Sequence, residues 1–521
     1  MSIFHLGRKN NSDALPGGIS EIAAVRGVST GQIITAVRTA SKNLQLMTWR
    51  VSPLGIAKTG DSANQAGEGS GFDIARGSRV VTAGRTRDGD LKLISWDVRS
   101  DGSITRVGDS GTKAGIASAI KIVAISGTLF VTACRAGNGR LLLISWRLNP
   151  NGSFTRLADS GKGGDPISEV SLLKLQTAAG TVHRVTTSIC DSGGNLKVIL
   201  WHLSSTGVFT RVGQSGVLAT QASSVRSGVD PLGRPVVSVW NGIFASLIVC
   251  GITSSGAVEV LSGSGTSADA IPINSLSTLP DGIVSAGRTP SGALRLIAWS
   301  TDADGKIERR SDSADQEGES SLINLIPLVG VKGITMVTAA QTNSGTLKLV
   351  GWGQAVVRLH TKVLRAPNVG LDRMVANMTE VFGSIGIRVQ HVSTETLDLD
   401  DTFLDIDVDS CRRGTTTAEQ QALFENRNNA GENDVVVYFV RGTDPITGGC
   451  ATFPPGRPGA VVASIANEWT LAHEVGHVLD LGHVDDNDRL MTGNGTFNIT
   501  NPPPDLIASE VSTMQSSPLT V

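Results

Sequence analysis

Six tryptophans recur at a nearly constant interval, and that rhythm limits the fold more than any other feature of the chain. Trp49, Trp96, Trp146, Trp201, Trp299 and Trp352 each close an apolar, strand-like run. The gap from Trp201 to Trp299 is double length, and at its midpoint Cys250 ends the comparable run Leu247-Ile248-Val249-Cys250. Seven equivalents therefore follow one another at intervals of about 50 residues, the length of a propeller blade. Other residues hold the same register. Arg38, Arg85, Arg135 and Arg288 lie eleven residues before their anchors; Asp109, Asp159 and Asp312 lie thirteen after, with Asp61 one residue early. Turns such as Asp88-Gly89-Asp90, Asn138-Gly139 and Asp101-Gly102 separate successive strands, so each repeat reads as a four-stranded antiparallel meander.

Seven such units closing in a ring form an all-β seven-bladed propeller, which leaves no long exposed sheet edge. An open solenoid is the runner-up, but it needs atypical capping repeats. The seventh repeat lacks its outer strand after Trp352. Ser2-Ile3-Phe4-His5-Leu6-Gly7 is similar to Ser103-Ile104-Thr105-Arg106-Val107-Gly108, the fourth strand of the second repeat. Residues 2–8 are therefore expected to complete blade seven. The recurring tryptophans and aspartates are read as inter-blade packing and turn capping rather than as a ligand site. The WD dipeptide of WD40 blades is missing.

From about residue 356 the periodicity changes, which divides the 521 residues into a propeller over 1–355 and a second domain over 356–521. There the pattern predicts strands at 356–364, 387–389, 435–440 and 460–464. It predicts helices at 372–382, 417–426, from near Asn467, and at 505–515, an α+β mixture. The net charge of −2 and the lack of a basic block point away from nucleic acid and anionic membranes as partners. No apolar run approaches the ~18 residues of a membrane span. The first ten residues do not read as a secretory signal, so the expectation is a cytoplasmic protein or one exported by a signal-independent route. Five cysteines leave at least one unpaired. Cys134, Cys190 and Cys250 read as core residues, while Cys411 and Cys450 either form a disulfide or remain free.

The chemistry concentrates in His473-Glu474-Val475-Gly476-His477-Val478-Leu479-Asp480-Leu481-Gly482-His483. Residues four apart on a helix share a face, so His473 and His477 offer two imidazoles to one metal ion. Glu474 lies beside them, and His483 supplies a third nitrogen while leaving a fourth tetrahedral position open, the layout of a catalytic zinc site. Leu490-Met491 follows eight residues later.

This stretch resembles the metzincin clan of zinc endopeptidases, with spacing to the methionine similar to the matrixin branch. The resemblance implies His473, His477 and His483 as zinc ligands, Glu474 as general base and Met491 as the methionine beneath the metal. Where the clan has glycine this chain has Asp480, which is expected to take the left-handed conformation that short polar side chains tolerate. The resemblance also implies a substrate-pairing edge strand upstream of the zinc helix, for which Gly449, Cys450, Ala451, Thr452 and Phe453 are the candidate. Six aspartates between Asp398 and Asp409 read either as a calcium (Ca2+) site or as a solvated loop, and the standard loop glycine is absent. The expected function is a zinc (Zn2+) endopeptidase acting on a protein or peptide substrate, with the propeller as recognition module. The alternative is a propeller-based binding protein whose zinc domain is latent or structural.

Overall fold

The computed structural model describes the whole chain except residues 1–6, 16, 53–54, 112–113, 162–163, 176–181, 266–270, 281, 314–316, 332, 354, 413 and 521. Two compact units separate: Asn10–Trp352, and Gly353–Val521 together with Met1–Lys9.

The first unit is a seven-bladed all-β propeller. Blade one runs Ile19–Arg26, Gln32–Thr39, Leu44–Ser52, Gly55–Asp61, and the next five blades repeat the four-stranded antiparallel order through Asp312. Blade seven takes Glu317–Pro327, Met336–Thr342 and Leu347–Gly353, and borrows its fourth strand, Gly7–Asn11, from the start of the chain. The ring closes where Asn324 Nδ2 of blade seven donates to Ile22 O of blade one at 3.0 Å. A joint apolar cluster there contains Ile19, Trp49, Val337 and Leu349.

The periodic residues hold the blades together. Each of the six repeat tryptophans is buried and spends its indole N–H on a hydroxyl of the preceding strand. Trp49 donates to Thr35, Trp96 to Thr82, Trp146 to Thr132, Trp201 to Thr187, Trp299 to Ser285 and Trp352 to Thr338, all at 2.9–3.0 Å. Each aspartate pairs with a cation three residues earlier: Lys58–Asp61, Arg106–Asp109, Arg156–Asp159 and Arg309–Asp312 at 2.5–2.7 Å. Asp109 and Asp159 also accept the backbone N–H two residues on. The aspartates therefore cap turns. Neighbouring blades are joined by hydroxyls of the third strand. Thr48 Oγ1 donates to Gly102 O, Ser95 Oγ to Gly152 O and Ser145 Oγ to Gly207 O at 2.6–2.7 Å.

The closing strand falls in a different register from the expected one. The expected alignment places Lys9 opposite Ser110, but the structural equivalent of Ser110 is Ser12. In all seven blades one serine exchanges two hydrogen bonds with the third strand. Ser110 N–H donates to Leu93 O at 2.9 Å and its Oγ accepts from Leu93 N–H at 3.0 Å. Ser12 does the same with Leu349, at the same two distances. The segment is thus 7–11 rather than 2–8, and residues 2–6 lie outside the described residues. The physical reason is that a buried serine bonding both N–H and Oγ sets the register more strongly than the apolar alternation of an outer strand does.

The second unit is numbered separately, in chain order. Its strands are β1 (Ala355–Val363), β2 (Ile387–Thr396), β3 (Asp405–Asp407), β4 (Val435–Val440), β5 (Gly442–Asp444), β6 (Gly449–Cys450) and β7 (Gly459–Ala463). The helices are α1 (Leu371–Ser384), α2 (Ala418–Leu423), α3 (Thr470–Val478) and α4 (Ala508–Ser516). Helix is thus the minor element of the chain, whose architecture is dominated by strands. One sheet has the order β2-β1-β4-β7-β6, parallel except for the antiparallel edge strand β6. β4 is buried throughout because both faces are covered, which explains its unbroken Val-Val-Val-Tyr-Phe-Val run. On one face α1 and α3 pack Met374, Met378, Phe382, Leu471 and Val475 against Leu359, Val437 and Val462. Cys411 and Cys450 form a disulfide. Cys134, Cys190 and Cys250 are buried free thiols, each pushed up to about 12 by burial. Among the described residues no helix is long and apolar enough to cross a membrane.

Candidate metal centre

Helix α3 sets two of the three histidines on one face, and a turn returns the third. Asn467 prepares the start of the helix by accepting the Trp469 N–H at 3.0 Å. At the other end Asp480 has φ +79°, the left-handed position expected of it. Asp480 N–H donates to His477 O and Leu481 N–H to Gly476 O, both at 3.0 Å. This pair of bonds is a Schellman ending, normally built on glycine. It turns the chain sharply enough for His483 to come back over the helix.

The three Nε2 atoms converge, with separations of 3.1 Å (His473–His477), 3.0 Å (His477–His483) and 3.2 Å (His473–His483). His473 Nδ1 lies 2.7 Å from Leu490 O and His477 Nδ1 lies 2.9 Å from Leu481 O. A carbonyl only accepts, so both Nδ1 atoms carry the ring proton and both Nε2 atoms present lone pairs. Lone pairs this close repel unless they share a cation, and the donor set therefore fits a metal ion. Among the described residues these three form the one group of His, Cys, Asp or Glu side chains able to hold a metal ion. Met491 is fully buried, and a Cβ at Gly476 would lie 2.6 Å from its Sδ. Glycine at 476 is thus needed for the methionine to pack beneath the histidine helix.

Glu474 is the buried acid of the site, 6% exposed, and burial pushes its carboxyl up to about 8. It lies against the edge strand, where a Cβ at Gly449 would come within 2.7 Å of Oε1. These groups line a cleft of about 570 Å³ that includes Gly449, Ala451, Thr452, His473, Glu474, His477 and His483. Of the five edge residues named from sequence, Gly449 and Cys450 form β6, antiparallel to Val462 and Val461. Cys450 is tied up in the disulfide, and Phe453 packs into the cores. The far wall, Thr492 to Phe497, carries no motif in the sequence. Thr496 Oγ1 meets Thr470 Oγ1 at 2.9 Å, and Phe497 is 68% exposed.

Three of the six aspartates from 398 to 409 have local partners. Asp400 accepts from Thr402 N–H at 3.0 Å, Asp407 accepts from Asp409 N–H at 2.9 Å, and Asp405 pairs with Arg441.

No family model matches the chain, and no curated protein matches it. Solved structures similar to it include Sqt1 of Chaetomium thermophilum bound to the N-terminus of the ribosomal protein L10. It is 11% identical, covers 67% of this chain and 100% of its own, and has a TM-score of 0.42. The periplasmic gluconolactonase PpgL of Pseudomonas aeruginosa is likewise 11% identical, covering 56% and 84% with a TM-score of 0.41. Neither is a zinc peptidase. The expectation that the chain is a zinc endopeptidase is corrected accordingly: no zinc-peptidase family model matches the chain, and the solved structures similar to it are described as Sqt1 and a gluconolactonase.

Proposed function

We propose that the chain is a binding protein of two modules. The propeller takes a protein partner. The C-terminal unit, metzincin-like in arrangement, holds one zinc ion at His473, His477 and His483 beside a groove for an extended peptide. The observation that carries this reading is the convergence of three Nε2 atoms within 3.2 Å, with the Nδ1 protons of His473 and His477 committed to Leu490 and Leu481 carbonyls. A set made only of neutral imidazoles suits zinc. The metzincin-like arrangement draws support from the antiparallel edge strand β6, the left-handed turn at Asp480 and the buried Met491. The peptide groove draws support from β6 itself. It ends the sheet beside the cleft, and an extended segment adds to such an edge through backbone hydrogen bonds. Wild type is expected to carry one zinc per chain by atomic absorption, and His477→Ala to carry none. Equal zinc in both would refute the site. A fluorescein-labelled unfolded peptide is expected to bind the wild type, with affinity lost in Gly449→Phe, which fills the groove.

A second reading rests on Glu474, because a structural ion has no need of a buried carboxyl beside it. When bound, zinc would supply Lewis-acid activation of water, and Glu474 would hold and release a proton at its carboxylate, making the cleft a hydrolytic centre. Turnover of a lactone or ester panel, lost in zinc-loaded Glu474→Gln, is the outcome this reading requires.

A further inference from the structure

The metal ligands are held from behind by the segment Arg489–Gly493. Leu490 O accepts the His473 Nδ1–H at 2.7 Å. Met491 O accepts Val484 N–H at 2.9 Å, and Gly493 N–H donates to Val484 O at 2.8 Å, which holds the residue after His483. One short segment therefore places two of the three imidazoles.

What holds that segment is a buried ion pair. Arg489 Nη2 bonds Glu510 Oε2 of α4, and the two side chains are only 12% and 10% exposed. Glu510 Oε2 also accepts Ile507 N–H at 3.0 Å and so closes the first turn of α4. Leu490 N–H donates to Asp505 O at 3.0 Å, and Asp505 N–H to Asp488 O at 2.9 Å. Arg489 Nε and Glu510 Oε1 are buried and make no hydrogen bond among the described residues. A buried pair with unmatched polar atoms adds little stability compared with an apolar pair of similar size. What it does supply is direction, because the planar guanidinium restricts where residue 489, and hence Leu490 O, lies.

We propose that Arg489 and Glu510 are positioning residues for the metal centre, acting through the Leu490 carbonyl on the His473 ring. The proposal rests on the zinc reading above. Residues behind the ligands in this way alter metal affinity ~10–100-fold when removed.

The test titrates the full-length protein with Zn2+ alone and, for its visible spectrum, with Co2+ alone. Arg489→Met/Glu510→Leu replaces the pair by apolar side chains, and Glu510→Gln is read in parallel as the near-isosteric change that keeps an acceptor for Ile507. Metal affinity is expected to fall ~10–100-fold in the double variant, with an altered cobalt band and an unchanged circular-dichroism spectrum. Arg489→Lys is expected to recover part of the affinity. A merely structural pair would lower the melting temperature and leave the cobalt band as it was. Wild-type affinity and spectrum in either folded variant would overturn the proposal. A wild type that binds neither ion, by contrast, would overturn the zinc reading itself.

Discussion

At the scale of single residues, the propeller shows how a side chain and its partner are kept or lost together. Blade five has Cys250 in the tryptophan position, and the place of the accepting hydroxyl is taken by Val237. Val237 pairs with Ile248 as Thr82 pairs with Ile94. Both are buried in one apolar cluster, so losing the indole N–H leaves no orphaned hydroxyl. The same reasoning predicts the cost of breaking a pair. Trp96→Phe should destabilise the propeller by about 2–4 kcal/mol, from lost volume and from the unmatched Thr82 hydroxyl. Adding Thr82→Val should recover about 1 kcal/mol, measured as the coupling energy of a double-mutant cycle in urea. In the C-terminal unit, the role of Asp480 was legible as a single-residue matter. The left-handed turn is local, and the residue's short polar side chain already announces it. The roles of Gly476 and Gly449 were not legible, because each is defined by a neighbour distant in sequence, Met491 and Glu474 respectively.

At the scale of elements, the strands of the blades were readable because alternation and turn residues act within ten residues of one another. Gly152 illustrates this: its φ is +84° and a Cβ would lie 2.6 Å from Val107 Cγ1 of the neighbouring blade, so the Asn-Gly turn serves both hairpin and inter-blade contact. The closing strand was found but misplaced. The usable signal was the dipeptide Asn11-Ser12, the counterpart of Asp61-Ser62 and Asp109-Ser110. Ser12→Ala removes the acceptor of Leu349 N–H and should cost about 1–2 kcal/mol. Truncation through residue 12 should lower the propeller's melting temperature by several degrees more, since it exposes a whole edge. A truncated protein melting like the wild type in calorimetry would contradict the observed closure. The helices shifted only at their ends, as with α3, which begins at Thr470, while Asn467 lies ahead of it and accepts the Trp469 N–H.

At the scale of the whole molecule, buried charge sets the response to pH. In the C-terminal unit His360 is fully buried between Ser393, 2.8 Å from Nδ1, and Asp434, 3.1 Å from Nε2. Burial lowers the His360 pKa, against the opposing pull of Asp434. Burial raises the Asp434 carboxyl, but the Gly431 N–H, Arg358 and His360 together hold it below its ordinary value. Both groups therefore bind protons more readily in the unfolded chain. Stability should fall as pH drops below ~6.5 for His360 and further below ~4 for Asp434. The measurement is the urea midpoint at pH 7 and pH 5 for wild type and His360→Asn. The drop between the two should be smaller in the variant, and an equal drop would exclude His360 as a source.

The sequence by itself determined the seven-fold repeat, the change of architecture after Trp352 and the histidine set, because each is written in residues close together in the chain. Only the tertiary structure decided the register in which the N-terminal strand closes the ring, that Cys411 pairs with Cys450, and that Thr492 to Phe497 walls the cleft. It also decided that a carbonyl at Leu490 aims His473 and that an ion pair with α4 stands behind it. These depend on contacts between segments distant in sequence. Such contacts are governed by packing and by hydrogen bonds whose partners no local pattern names.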